Sequence, residues 1–499
     1  MSSLLRAFDA TLVARAAEPG LECAVDGARW TLSFGDVDAR ATRTAQWLRA
    51  RGLRAGDRCV AHLANGPHFI DLLLGCLRSG VIFVPANVLY RERELAHVVA
   101  DAEPALIVTA EPELFGGDAR VVTIAAFSTT HTEHPGTTGT AGGSWRPGDD
   151  DPAVIIYTSG TTGRAKGAVL SHGNLAANAA HLVEAWRITT EDRYLAVLPL
   201  FHVHGLGNGI CSWLWSGCLM RLEEKFDWQR AAAWFSDFRP TLFFGVPTIY
   251  VRMLEWPAET AAAIGRMMRL FVSGSAPLPA HVLEAFRVRY GHTILERYGM
   301  SETLMNLGNP YDGERRAGSV GPPFRDVSVR VVDESGAAVA DGSVGQLEVR
   351  GPNVFGQYWR NPAATTHAFR DGWFRTGDLA ERAADGYFTL RGRAGDLIIS
   401  GGFNIYPREV EEVLLEVPGV SEVVVVGVPD AVRGEVPVAY IVTANSSGGT
   451  EVTDDLLRAS CTRALASFKL PRAFVRMPTL PRTALGKVQK HLLPPWTAS

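Results

Sequence analysis

Apolar positions along this chain change their period several times, and each change predicts an element. LSFGDVDARATRTAQWLRARG (32–52) carries its apolar residues at helical spacing. RCVAHLAN (58–65) reads as a strand, and ELAHVVADAEPALIVTA (94–110) as a helix, a proline break and a strand. The rhythm returns with strands at 153–157, 241–246 and 268–273. Such alternation predicts an α/β fold with a mostly parallel sheet. From about 326 the pattern becomes VSVRVVDESGAAVADGSVGQLEVRG, alternating residues between turn signals, which reads as β-hairpins. Past about 395 it changes again. PREVEEVLLEV places Val410, Val413, Leu414 and Val417 on one helical face, EVVVVGV and PVAYIV read as strands, and 453–466 as a helix. That block has the size of a small α+β domain.

One stretch fits neither period. STTHTEHPGTTGTAGGSWRPGDDD (128–151) has little apolar area to bury and reads as a loop or linker. His131 and His134 within it, and His172 beyond it, share no helical face and are read as solvated. There is no internal repeat.

Composition narrows the classes. The 499 residues hold 49 Lys+Arg against 53 Asp+Glu, a net charge of −4, which leaves no electrostatic footprint for nucleic acid. The most apolar stretch, Phe69 to Tyr90, is broken by Asp71, Arg78 and Pro85, so no membrane span is expected. The N-terminus lacks a signal pattern, because Arg6, Asp9 and Arg15 interrupt it. The six cysteines form no CxxC or zinc spacing and are expected to be buried free thiols of a cytoplasmic protein. Fifty glycines and 28 prolines exceed average usage and point to many shaped loops.

The most informative loop is YTSGTTGRAKGAVLSH (157–172). A strand runs into Thr158, Ser159, Gly160, Thr161, Thr162 and Gly163, with Lys166 following. Backbone N–H groups unscreened by Cβ, hydroxyl donors and one cation are what a polyphosphate needs. The spacing is not that of GxxxxGK[ST], and a merely flexible polar loop remains the alternative.

TSGTTGxxKG resembles the phosphate loop of the adenylate-forming superfamily of acyl-CoA synthetases, adenylation domains and luciferases. RYGMSET (297–303), FRTGDL (374–379), GRAGDLIISGGFNIYPREVE (392–411) and LPRTALGKVQK (480–490) follow in that family's order. The resemblance implies a large N-terminal domain, 1–395, of α/β subdomains with a distorted β-barrel at about 326–390. It also implies a small, mobile α+β C-terminal lid, 396–499. The implied reaction has a carboxylate attack the α-phosphate of ATP, forming an acyl-adenylate and releasing pyrophosphate, then passes the acyl group to the thiol of CoA with release of AMP. Mg2+ is the implied metal.

By the same resemblance Glu302 holds Mg2+, and Arg297, Tyr298, Gly299, Met300 and Ser301 meet the nucleotide, Tyr298 on the adenine. Gly274, Ser275 and Ala276 of VSGSAPLP line the adenine and acyl sites. Asp378 accepts from the ribose hydroxyls, Arg393 meets ribose and phosphate, and Asp396 is the hinge. Lys487 is the catalytic lysine. Each has a bland alternative: Glu302 as a helix N-terminal carboxylate, Asp378 as a turn residue, Lys487 as part of a basic tail with Arg482 and Lys490. Gly395 departs from the pattern, since many relatives carry Lys there.

LPLFHVHGLGNGI, FFGVPTIYVRML and LERYGMSETLMNLGNPYDGERRAGSVG resemble malonyl-CoA synthetases in particular. That subgroup implies malonate or a 2-substituted malonate as substrate, with Arg252 on the distal carboxylate, where a bidentate cation would offset a second negative charge. A solvated helix residue is the other reading of Arg252. His202 is expected as the gate to the thiol, with His204, Met305 and Ser273 lining the acyl pocket. An aryl or cinnamic acid, and a carrier-protein thiol or another nucleophile as acceptor, are the competing readings.

Overall fold

Short, wholly apolar strands flanked by amphipathic helices build the body of the chain. In the computed structural model, which describes residues 1–25, 27–129, 146–158, 165–401, 403–430, 432–443, 452–483 and 486–496, Leu242–Gly245, Leu270–Ser273, Ile82–Pro85 and Leu106–Thr109 are buried at every position. Strands buried on both faces belong to parallel sheets covered by helices. Two sheets form, parallel through their centres with antiparallel strands at their edges. The first runs, across its width, Leu304–Gly308, Leu295–Met300, Leu270–Ser273, Leu242–Gly245, Arg193–Ala196, Leu219–Leu222, Pro19–Val25 and Ala28–Ser33. The second runs Gln357–Tyr358, Lys166–Ser171, Pro152–Thr158, Ile82–Pro85, Arg58–His62, Leu106–Thr109 and Val121–Thr123.

The apolar stretch from Phe69 becomes a buried helix, Pro67–Ser79, followed by the strand Ile82–Pro85. Asp71, the charge that interrupts it, is bonded inside the protein by Arg40, Nε to Oδ1 at 2.9 Å and Nη2 to Oδ2 at 2.6 Å. Among the described residues no helix is long and apolar enough to cross a membrane. All six cysteines are buried and free.

The β-rich stretch forms a five-stranded antiparallel sheet: Ser328–Val332, Val344–Arg350, Trp373–Arg382, Phe369–Arg370 and Phe388–Arg393. It is not one uninterrupted body. Gln357–Tyr358 leaves it to pair with Lys166–Ser171 in the second sheet, Tyr358 opposite Ala168. That excursion brings the β-rich stretch to the strand leaving the phosphate loop.

Beyond the turn Ala394–Asp396 a small domain has a core of its own. Ile398, Ile405, Val410, Leu414, Val425, Ile441 and Leu457 pack beneath the helices Pro407–Leu415 and Asp454–Ala464. On the other face of the strands Val420–Asp430 and Gly434–Thr443, Val424, Val438 and Tyr440 are covered by Leu480 and by Leu493 and Trp496 of the C-terminal segment.

His172 corrects the expectation of a solvated side chain. It opens the helix His172–Ala185, is 1% exposed, and its Nδ1 lies 3.2 Å from Ser2 Oγ. The first helix, Ser3–Ala14, packs against the helix that His172 opens, and burial pushes the imidazole pKa down to about 4. Most of the expected linker, including His131 and His134, lies outside the described residues.

Candidate active site

The phosphate-loop motif is flanked by an antiparallel pair of strands. Pro152–Thr158 pairs with Lys166–Ser171, and Thr158 faces Lys166 across the ladder. Ser159, Gly160, Thr161, Thr162 and Gly163 lie outside the described residues. Lys166 is half-buried, and its Nζ sits 5.4 Å from the centre of the Tyr358 ring. The aromatic face holds the cation at the root of the loop.

Tyr358 also reaches the metal candidate. Its hydroxyl donates to Glu302 Oε1 at 3.0 Å, and Phe355 N–H donates to the Glu302 carbonyl at 2.8 Å. Glu302 sits in a turn, 6% exposed, and burial raises its carboxyl pKa. It does not open a helix. Among the described residues no three His, Cys, Asp or Glu side chains gather as a metal cage. One buried carboxylate beside the candidate phosphate loop is a donor set that would suit Mg2+, an ion usually held by one or two carboxylates together with phosphates.

The ribose candidate, Asp378, lies on the strand Trp373–Arg382 and is 7% exposed. Tyr298 Oη donates to Asp378 Oδ2 at 2.5 Å, and Arg393 Nε lies 3.0 Å from Asp378 Oδ1. Each carboxylate oxygen keeps a lone pair for a further donor. The Tyr298 ring packs with Leu307, Val320 and Leu347. Burial raises the Asp378 pKa, and the Arg393 guanidinium opposes that rise.

Lys487 comes from the small domain and meets this pair. Burial and then the Arg393 cation lower its pKa, while Asp378 and Asp396 pull it up. The hairpin carrying it closes on the helix Pro247–Met253, since a β-carbon on Gly486 would lie 3.7 Å from Thr248 Oγ1. Lys166, Glu302, Arg393, Asp378 and Lys487, far apart in sequence, are thus drawn together.

A second polar group gathers around 273–275. Arg297 is 3% exposed, and its Nε and Nη2 have no hydrogen-bond partner. No ion pair reaches it among the described residues, and burial pushes its pKa down to about 9, still protonated at neutral pH. Ser273 Oγ and His204 Nε2 are buried without partners as well. His204 Nδ1 lies 3.2 Å from Ser275 Oγ, and His204 N–H donates to His202 Nδ1 at 3.2 Å. Burial, reinforced by the Arg297 charge, holds both imidazoles neutral, His202 at a pKa of about 4. Ser275 holds a left-handed backbone, φ 69°. Such local strain is stored at functional sites. Met305 is buried and packs its Cε against Gly299.

Arg252 is where the sequence expectation departs from the structure. It lies on the outer face of its helix, its side chain 63% exposed, paired with Glu255 at 3.2 Å. The guanidinium beside the two histidines belongs to Arg297, which the motif had placed with the nucleotide. Tyr358 was missed, and Lys490, read only as part of a basic tail, lies 2.8 Å from Asp396. Tyr358 sits in no recognised motif, and its role depends on a two-residue strand.

The AMP-binding enzyme family matches residues 13–359, and the AMP-binding enzyme C-terminal domain matches 409–487. The chain is 37% identical over 473 residues to a sulfoacetate–CoA ligase of Cupriavidus necator, covering 92% of this chain and 91% of that one. It is 36% identical over 470 residues to a feruloyl-CoA synthase of Amycolatopsis sp, with 92% of each covered. It is 35% identical over 469 residues to a malonate–CoA ligase of Arabidopsis thaliana, covering 85% and 75%. ATP-bound MatB from Rhodopseudomonas palustris superposes with a TM-score of 0.90 at 38% identity, covering 99% and 98%.

Proposed function

The chain belongs to the AMP-binding enzyme family as an AMP-forming acyl-CoA ligase, and from that premise we propose that its acid is a small dianion, malonate or a 2-substituted malonate. One observation carries this reading: the buried, unpaired guanidinium of Arg297 beside two neutral histidines. A buried cation without a counter-ion is costly, and a distal acid group on the substrate would offset that cost. Arg also offers a planar fork that fits a carboxylate. Malonate–CoA ligase and sulfoacetate–CoA ligase among the relatives fit such a receptor. A feruloyl side chain would leave it unpaired.

The residues then divide the work. Asp378 accepts from the ribose. Arg393 and Lys166 offset phosphate charge, and the 159–163 loop supplies N–H and hydroxyl donors. Mg2+, when bound, would be held by Glu302 and would neutralise phosphate oxygens. Arg297 orients the acid so that its free carboxylate meets the α-phosphate, where Lys487 offsets the developing charge. His202 lies beside the acyl group and gates the approach of the CoA thiol. Asp396 is the pivot between domain 1–395 and domain 396–499.

Pyrophosphate exchange with malonate, methylmalonate, sulfoacetate, propionate and ferulate tests this, followed by CoA addition and detection of the thioester. Malonate-type acids should give the fastest exchange, and R297M should remove that preference while sparing propionate. Faster wild-type exchange with ferulate or propionate would overturn it.

A further inference from the structure

The segment that carries Lys487 holds a second cation that the reaction leaves unassigned. Lys487 sits on a tight hairpin. Thr483 N–H donates to the Lys487 carbonyl, and Gln489 N–H to the Pro481 carbonyl, both at 2.8 Å. Just past this hairpin, Lys490 Nζ lies 2.8 Å from Asp396 Oδ2. Asp396 ends the turn Ala394–Asp396, through which the chain leaves the large domain's last strand, Phe388–Arg393, for Ile398–Ser400 of the small domain.

A β-carbon at Gly395 would meet nothing within 4 Å. A cleft of about 490 Å³ lies there, lined by Gly395, Asp396, Lys490, Tyr440 and Trp496. The segment that follows Lys490 is anchored. Tyr440 Oη donates to the Pro494 carbonyl at 2.7 Å, and Trp496 packs against the sheet beneath. A cation on the Lys487 segment therefore grips the carboxylate of the crossover between domains.

We propose that Lys490 is a positioning residue for adenylation: by holding Asp396 it fixes the crossover so that Lys487 is presented to the Asp378–Arg393 pair. The side chains of Lys490 and Asp396 are 31% and 39% exposed, so solvent screens the pair and it adds little to stability. Its effect is geometric. A displaced catalytic group costs rate steeply even when the fold is intact. The proposal rests on Lys487 as the adenylation lysine.

The test separates the two half-reactions in the full-length protein, using the acid that wild type turns over fastest. K490A, K490Q, K490R, D396N and K487A are compared by pyrophosphate exchange, by single-turnover thioester formation from preformed acyl-adenylate and CoA, and by Tm. K490A and K490Q should lose about 10- to 100-fold in exchange. Their thioester formation should stay within about twofold and Tm within about 2 °C. K490R should restore exchange. The double variant K490A/D396N should be no slower than the worse single variant, as expected when two residues act through one contact. Unchanged exchange in K490A, an equal fall in both half-reactions, a loss that tracks Tm, or additive losses would each overturn the proposal. K487A tells which idea has failed. If its exchange survives, the role of Lys487 falls; if its exchange is lost and that of K490A is not, only the positioning role falls.

Discussion

Gly274 and Arg297 share one space: a β-carbon on Gly274 would lie 2.3 Å from Arg297 Cζ. The guanidinium therefore lies over bare backbone, and the glycine is there for that close approach. The clash that G274A would create is with the end of a flexible side chain. The side chain, not the strand, should move. G274A should fold with near-wild-type Tm yet lose about 10- to 100-fold in kcat/KM for malonate, with propionate little changed. Kinetics with both acids and a melting curve check it.

Arg252 and Arg297 should respond in opposite ways to removal. Arg252 makes an exposed i,i+3 pair with Glu255, and such pairs contribute little. R252A should keep malonate kcat/KM within about twofold of wild type. R297M removes the buried charge at similar volume and should cost malonate about 3 to 5 kcal/mol, or roughly 150- to 5000-fold. Parallel steady-state measurements on the two variants decide between the residues. A large loss in R252A would return the distal-acid role to the outer helix.

The sequence carried the fold well where local pattern decides it. Leu242–Gly245 and Leu270–Ser273 fall within the expected 241–246 and 268–273, because an unbroken apolar run bounded by turns leaves few choices. Side-chain direction was less legible. Arg297 and Tyr298 are neighbours in one motif, but on the strand Leu295–Met300 successive side chains point to opposite faces. Tyr298 reaches Asp378 and Arg297 turns to the histidines, so a shared motif hid two different sites. Arg252 sits on a helix of only seven residues, whose rotation the surrounding letters do not specify. Tyr358 depends on a long-range strand pairing that no local signal announces.

Tyr358 gives a prediction about the metal. Its hydroxyl is the side-chain donor bonded to the Glu302 carboxylate, at 3.0 Å, and the neighbouring Arg393 charge acts from further off. Y358F leaves the ring under Lys166 but removes that donor. Glu302 then becomes harder to ionise and freer to turn. Half-saturating Mg2+ in pyrophosphate exchange should rise about 3- to 10-fold, with a smaller change at saturating Mg2+. Mn2+ binding in the presence of ATP, followed by electron paramagnetic resonance, should weaken in parallel. An unchanged Mg2+ requirement would detach Tyr358 from the metal.

Glu296 ties stability to pH. It is 1% exposed; Oε1 accepts from Leu278 N–H at 2.9 Å, while Oε2 has no partner. Burial pushes its pKa from 4.5 up to about 7, and Arg408 of the small domain is the main charge opposing that rise. Between these two values the folded state holds a proton that the unfolded chain has released. The folded protein therefore loses this contribution as pH climbs through the window, and above about 7 it carries a buried, half-bonded carboxylate. Glutamine imitates the protonated form at every pH. E296Q should match wild-type Tm near pH 5 and exceed it at pH 8, by on the order of 2 kcal/mol of unfolding free energy. R408Q should act in the other direction: with the opposing cation gone, Glu296 holds its proton to higher pH, and the alkaline loss in wild-type residue 296 deepens. Melting curves of the three proteins from pH 5 to 9 check both signs, and curves that stay parallel across that range would remove Glu296 as the titrating group.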